Sequence, residues 1–253
     1  MAAYYNEFDP YAAQWLRNLI EAGHIAPGIV DERSIEDVHP SDLRGFTQCH
    51  FFAGIGVWSL ALRRAGFPDD RPVWTGSCPC QPFSAAGAGA GFEDPRHLWP
   101  SFAWLIGQCE PPVIFGEQVA SASEWLSLVR GGMEGMGYAF GAMPIQAASA
   151  GAFHLRDRIY FVANAGGQGL AERISKPGVL HKVACSPQGQ DATNAISFGQ
   201  AWFNGPDGKK RPIEPGIYPL VDESASRVGR LRAYGNGLDA KAATQFIAAY
   251  LET

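Results

Sequence analysis

One apolar run limits this chain to few folds, because it breaks at Gly54-x-Gly56 and resumes at helical spacing. In TQCHFFAGIGVWSLALRRAGF the first six residues read as a strand, the glycines as a turn, and Trp58, Leu60, Ala61, Leu62 and Ala65 as the carriers of a helix. Glycines at a strand-to-helix turn let a ligand approach backbone N–H groups at the helix N-terminus. The dinucleotide fingerprint would also need a third glycine near Ser59 and an acid about 20 residues on. That glycine is missing, and Asp69 and Asp70 precede a strand instead of ending one. The turn therefore suits a nucleoside cofactor better than NAD.

The next strand-like run, RPVW, leads directly into GSCPCQPFS, Gly76 to Ser84. Pro79 and Pro82 restrict the backbone on either side of Cys80, and the Gly/Ala-rich segment AAGAGAGF follows. A thiol on a stiff platform beside a loop of small residues suits covalent catalysis. A buried turn cysteine is the plainer reading, and the residues around Cys80 argue against it.

Upstream, AAYYN reads as a short buried strand. Ala12, Trp15, Leu16, Leu19 and Ile20 then mark an amphipathic helix from Pro10 to Ala22, with Asp9 as N-cap and Pro10 at the first helical position. Glu7 lies between strand and helix, where a carboxylate can grip a ribose; a surface charge or a second capping group is the alternative. A short apolar run, GHIAPGIV, and the segment DERSIEDV follow, and Cys49 reads as a core thiol.

Downstream, Trp99, Phe102, Leu105 and Ile106 predict a helix, and PPVIFGE predicts a buried strand ending at Glu117. A carboxylate there faces the ligand crevice of an open α/β sheet. Ser123 to Met136 predicts another helix and YAFGAMPI another strand. In GAFHLRDRIYFVAN, Arg156 and Arg158 are two apart, so an extended backbone turns both to one side; a solvated strand edge gives the same spacing. From Ala165 to Pro219 the pattern weakens into turn-rich sequence with scattered lysines and arginines. The closing stretch carries a Tyr234-Gly235-Asn236-Gly237 turn and a helix with Ala243, Phe246, Ile247 and Tyr250 on one face.

Strands alternating with helices predict an α/β protein with an open, mostly parallel sheet. The 253 residues are enough for one large domain, or for one domain and a small appendage. No stretch has the length of a membrane span or the pattern of a signal peptide. Five cysteines at irregular spacing make no disulfide framework, and Cys78-x-Cys80 is too tight for a zinc pair, so no metal is expected. A reducing cytoplasm follows. The net charge of −5 speaks mildly against strong nonspecific nucleic-acid binding but leaves room for a local basic face.

Taken together, the chain resembles the cytosine-C5 DNA methyltransferases, above all their small phage or prophage forms. FAGIG is similar to the family's methionine-binding turn and PCQPFS to its nucleophile motif. GEQV is similar to its ENV, HLRDR to its QxRxR, and YGNG to its C-terminal GNA. The resemblance implies a Rossmann-like S-adenosylmethionine-dependent core over residues 1–164, a small loop-rich target-recognition region over 165–219, and a C-terminal segment, 220–253, that returns to the core. It implies double-stranded DNA as partner and S-adenosyl-L-methionine as cofactor. Cys80, Glu117, Arg156 and Arg158 would be catalytic. Phe52, Ala53, Gly54, Gly56, Glu7, Ser34, Ile35 and Asn236 would hold the cofactor. The location implied is the cytoplasm, that of a bacterial host if the gene is phage-borne. The recognition region is short, so either the target is short or relaxed, or an accessory partner or self-association completes target reading. A tRNA cytosine methyltransferase and an inactive nucleic-acid-binding relative are the alternatives.

Four positions depart from the family pattern. Gln118 stands in place of Asn, His154 in place of Gln, Phe153 in place of Pro, and Ser34 in place of Asp. Just over 20 residues separate FAGIG from PCQPFS, too few for the two acidic strand units that usually intervene. Their counterparts lie upstream, in YYNEFDPYAAQWLRN and DERSIEDV, which implies a permuted order. If the family's strand order is kept, the helix after FAGIG either changes face or spans a left-handed crossover.

Overall fold

A computed structural model describes residues 2–79, 98–150, 157–166, 201–204, 210–213 and 238–253. Three of the expected site residues, Cys80, Arg156 and Asn236, lie outside them. The chain forms an α/β fold around a seven-stranded sheet ordered β2-β1-β3-β4-β5-β7-β6. Its strands are β1 (Ala2–Asn6), β2 (Gly28–Asp31), β3 (Phe46–Phe51), β4 (Val73–Gly76), β5 (Val113–Val119), β6 (Tyr138–Gln146) and β7 (Asp157–Ala165). The first five run parallel, and β7 pairs antiparallel with both β5 and β6. Separately, β8 (Ala201–Asn204) and β9 (Lys210–Ile213) pair as an antiparallel ribbon within the stretch expected to be loop-rich.

Among the described residues five helices cover the large sheet: α1 (Pro10–Glu21), α2 (Val57–Arg64), α3 (Trp99–Cys109), α4 (Ser123–Gly135) and α5 (Ala240–Leu251). The first begins as its sequence predicts, with Asp9 accepting from the N–H groups of Tyr11 and Ala12 at 2.8 and 3.1 Å and Pro10 at the first helical position. Asp239 caps α5 in the same way through the N–H of Ala242. Strand β5 runs two residues beyond Glu117, to Val119, because it stays in register with β7 as far as Arg158.

Pleat alternation divides the core into two faces. On one, Leu16 and Leu19 of α1 pack with Tyr5 and Leu60, while Trp58, Ala61 and Leu62 of α2 pack with Phe115, Tyr160, and Phe246 and Tyr250 of α5. On the other, Phe102 of α3 and Trp125 of α4 meet Phe51, Trp74 and Phe161, together with Ile35, Val38 and Leu43 from two 3₁₀ turns between β2 and β3. On the central strands β4 and β5, close packing needs glycine at two places. A Cβ on Gly76 would lie 2.5 Å from the ring of Phe102, and one on Gly116 would lie 2.0 Å from the ring of Phe161.

The faces decide the crossover question. With β2 at the left of the sheet, β1 steps left to β2 with α1 on the first face. Strand β2 steps right to β3 under the 3₁₀ turns of the second face, and β4 steps right to β5 with α3 on that same face. These three connections share one hand. Strand β3 steps right to β4 with α2 on the first face, which is the opposite hand. Parallel crossovers are right-handed in about 98% of cases, so the connection through α2 is left-handed. The helix has kept the face of α1, and the handedness gives way.

Candidate functional site

The expected site residues within the described part of the chain gather at the C-terminal ends of the parallel strands, where open α/β sheets bind ligands. After β3 the backbone turns sharply: Phe52, Gly54 and Gly56 take φ of 51°, 55° and 78°. Positive φ costs a glycine little, but Phe52 carries a side chain there, the kind of backbone strain that collects at functional turns. Two bonds fix the turn, from the Ala53 N–H to the Asn6 carbonyl at 3.0 Å and from the Gly56 N–H to the Ala53 carbonyl at 2.9 Å.

Glu7, just past β1, reaches this turn. Its carboxylate accepts from the Gly54 N–H at 2.6 Å and from the Asp9 N–H at 2.9 Å. Burial pushes its pKa up, against the lowering effect of both N–H groups. Each carboxylate oxygen keeps a further lone pair. Beside it Phe8 is 71% exposed, the most exposed large hydrophobic residue described. Sequence reasoning passed over Phe8; the available signal was an aromatic side chain between the two acids Glu7 and Asp9, off the apolar stripe of α1.

Ser34 and Ile35 lie on the neighbouring loop. Ser34 caps a 3₁₀ turn and hydrogen-bonds Glu36, and Ile35 is buried. Arg33 ties the loop down through Asp31 at 2.6 Å and Asp42 at 2.9 Å. Asn6 donates to the Arg33 carbonyl at 2.9 Å. The loop is thus bound to the strand that precedes Glu7.

Past β4, two side chains from other elements hold the backbone leading to Cys80. The indole N–H of Trp58 donates to Ser77 Oγ at 3.0 Å, and Gln118 Nε2 donates to the Cys78 carbonyl at 3.4 Å. Cys78 itself is buried, and desolvation raises its thiol pKa well above the usual range. A thiol in that environment stays protonated and inert. Cys49 is likewise buried and raised, as a core thiol should be.

On β5, Glu117 is buried, and its Oε1 lies 2.6 Å from Arg158 Nε on β7. The structure therefore brings Glu7, the turn from Phe52 to Gly56, the approach to Cys80, Glu117 and Arg158 to one edge of the sheet. The nearby His50 belongs to the core. It stacks on Tyr5, bonds Thr75 at 2.9 Å, and burial lowers its pKa to about 3. Among the described residues no group of three or more His, Cys, Asp or Glu could hold a metal. None of their helices is long and apolar enough to cross a membrane.

Parts of the chain are similar to known proteins. Residues 63–184 match the family described as C-5 cytosine-specific DNA methylase. The type II methyltransferase M.HhaI of Haemophilus parahaemolyticus is 31% identical over 99 residues, covering 37% of this chain and 30% of its own length. M.PspPI of a Psychrobacter strain is 30% identical over 145 residues, 40% of this chain and 34% of its own. The matched part is thus about a third of these relatives' length. Among solved structures, a DNMT2 variant from Spodoptera frugiperda is 16% identical with a TM-score of 0.45, over 65% of this chain and 42% of that one. The family match and the sequence relatives agree on one kind of protein: over residues 63–184, just under half of the chain, the sequence is similar to the C-5 cytosine-specific DNA methylase family.

Proposed function

We propose that the chain is a DNA (cytosine-5-)-methyltransferase in which Cys80 is the nucleophile and Glu117 and Arg158 handle the base. The observation that carries this reading is the Glu117–Arg158 pair at 2.6 Å, at the same edge of the sheet as the strand that runs into Pro79-Cys80. Cytosine C5 is a weak nucleophile until a group adds at C6. The Cys80 thiolate would form that C6–S bond, and the electron pair of the 5,6 double bond would move toward N3 and O2. Glu117 would bind the N3 and N4 edge, and Arg158 would stand near O2, stabilising charge as it develops. Arg156 would hold phosphate or the flipped nucleotide. After methylation at C5, a base removes the C5 proton and the Cys80–C6 bond breaks, returning the thiolate. The target base must leave the duplex stack first, at a cost of about a few kcal/mol.

S-adenosyl-L-methionine would supply the methyl group as an electrophile. The residues at the turn suit it. The half-buried Glu7 carboxylate can accept ribose hydroxyls, and the turn of Phe52, Ala53, Gly54 and Gly56 lies at a helix N-terminus, with open space where a Cβ on Gly54 would stand. Phe8 offers an exposed ring to an adenine beside Glu7. Ser34 and Ile35 would line the adenine side, and Asn236 would come from the C-terminal segment.

The permuted order belongs to the same reading. The family match begins at residue 63, inside α2, and leaves β1 to β3 outside it. That is the expected pattern if the first three strands are rearranged while the later elements keep the family's order. Residues 165–219 would read a short DNA target, alone or with a partner, in a cytoplasmic protein.

The test is incubation with labelled S-adenosylmethionine and either duplex DNA or tRNA, comparing wild type with Cys80→Ser. Label on C5 of DNA cytosine for the wild type only is the expected result. Transfer to tRNA alone would move the activity to that substrate, and cofactor binding without transfer to any DNA would sink the proposal.

A further inference from the structure

We infer that the hydrogen bond from Trp58 to Ser77, backed by that from Gln118 to the Cys78 carbonyl, is a strut that sets the nucleophile against the cofactor turn, making Trp58, Ser77 and Gln118 positioning residues. The inference rests on the proposed role of Cys80. It adds a feature that follows from this chain's own connectivity.

Trp58 lies two residues past Gly56, the N-cap of α2, so it is fixed to the turn by the first turn of the helix. Its indole is 4% exposed, stacked on Phe115 at 6.1 Å and edge-on to Tyr160 at 6.2 Å. Such packing leaves the ring one orientation, and its N–H points at Ser77 Oγ, 3.0 Å away. Ser77 stands three residues ahead of Cys80 in the sequence, and Pro79 limits the backbone freedom between them.

From the other side, Gln118 is also locked. Its Oε1 accepts from the Val119 N–H at 2.9 Å, which fixes the amide plane and aims Nε2 at the Cys78 carbonyl. The segment entering Pro79-Cys80 is thereby gripped by the helix that begins at the cofactor turn and by the strand that carries Glu117. Methyl transfer requires donor, target carbon and thiolate in one alignment, and small misplacements there cost rate more than binding. The left-handed α2 connection places the turn and the nucleophile strand next to each other along the chain, so a single helix and one hydrogen bond can set their spacing.

Trp58→Phe keeps the ring and removes the N–H, and Ser77→Ala removes the acceptor. Two readouts apply: steady-state methyl transfer to duplex DNA, and the pH profile of Cys80 alkylation by iodoacetamide, followed by peptide mapping. Each single variant should lower kcat roughly three- to tenfold, the worth of one neutral hydrogen bond, with the KM for S-adenosylmethionine within about twofold of wild type. The double variant should fall no further than the singles, and the alkylation profile should shift in all three. Wild-type kcat and alkylation in Ser77→Ala, or losses that multiply in the double variant, would overturn the strut. Ser77→Ala carries the test if Trp58→Phe fails to fold. Failure of the proposed function shows separately, as a wild-type chain that transfers no methyl group; the alkylation profiles then decide the strut by themselves.

Discussion

Arg158 Nε lies 2.6 Å from Glu117 Oε1 along a diagonal of the β5–β7 pair, for Glu117 is opposite Tyr160 and Arg158 is opposite Val119. Diagonal neighbours on one face of a sheet are within reach of long side chains, and here the reach joins a carboxylate to a guanidinium at the ligand edge. Glu117→Gln keeps the shape and removes the charge. It should lower single-turnover methyl transfer by about 10²–10³-fold, the usual loss when one group that stabilises developing charge is removed. DNA affinity, measured by fluorescence anisotropy, should change far less.

Glu7 is a raised carboxyl, held up by burial. A raised folded-state pKa means that the native chain binds the proton more tightly than the unfolded chain, so this group's contribution to stability is full at low pH and is lost as pH rises through the folded value. Glu7→Gln removes that loss. Its melting temperature relative to wild type should therefore climb as pH rises above the ordinary carboxylate range, in scans by differential calorimetry. The same variant should weaken S-adenosylmethionine binding by about tenfold or more, since hydrogen bonds to a charged group are the stronger kind.

Asp31 shows the opposite sign. Burial alone would raise its carboxyl, but the Arg33 guanidinium and N–H and the Tyr4 hydroxyl hold it below the ordinary aspartate range. The stability it contributes is present above the unfolded pKa and is lost as pH falls through the folded value. Arg33 is largely exposed, so solvent and salt screen the pair. Arg33→Ala should cost about 1 kcal/mol or less at neutral pH, and the gap should shrink at acid pH and in high salt. Urea unfolding at both pH values checks it.

Gly116 separates Phe161 from the strand beside it. The Cβ of Gly116→Ala would lie 2.0 Å from the Phe161 ring and 2.8 Å from the Gly76 carbonyl oxygen. Overpacking of this kind costs about 1–3 kcal/mol. The urea midpoint should drop at unchanged slope, and methyl transfer should fall as well, because Glu117 is the next residue.

Local chemistry made most elements legible in the sequence. Asp9-Pro10 announces α1, the apolar stripe of Ala243, Phe246, Ile247 and Tyr250 announces α5, and the glycines after Phe51 announce the turn. Pairing between distant strands was less accessible. The position of β1 between β2 and β3 rests on backbone bonds between segments far apart in the chain, which no local pattern records. Trp58 sits at helical spacing and reads as core, which it is; that its N–H also serves Ser77 depends on how α2 crosses the sheet. Gln118 reads as a departure from an asparagine, and only the packed structure shows its extra methylene folded back, with the amide reaching the Cys78 carbonyl. Strands β8 and β9 are four residues each, and the sequence between them contains Gly-Pro-Asp-Gly, whose turn signal hid them.

The position of β1 has a consequence for amide exchange. Segments with few buried contacts and unpaired edges open first and exchange quickly with solvent. Here the strand from Ala2 to Asn6 is hydrogen-bonded on both edges, to β2 and to β3, and every residue of it after Ala2 is buried. Its backbone deuterium uptake should be as slow as that of β4 and β5, so the earliest strand in the sequence would be among the last parts of the protein to open.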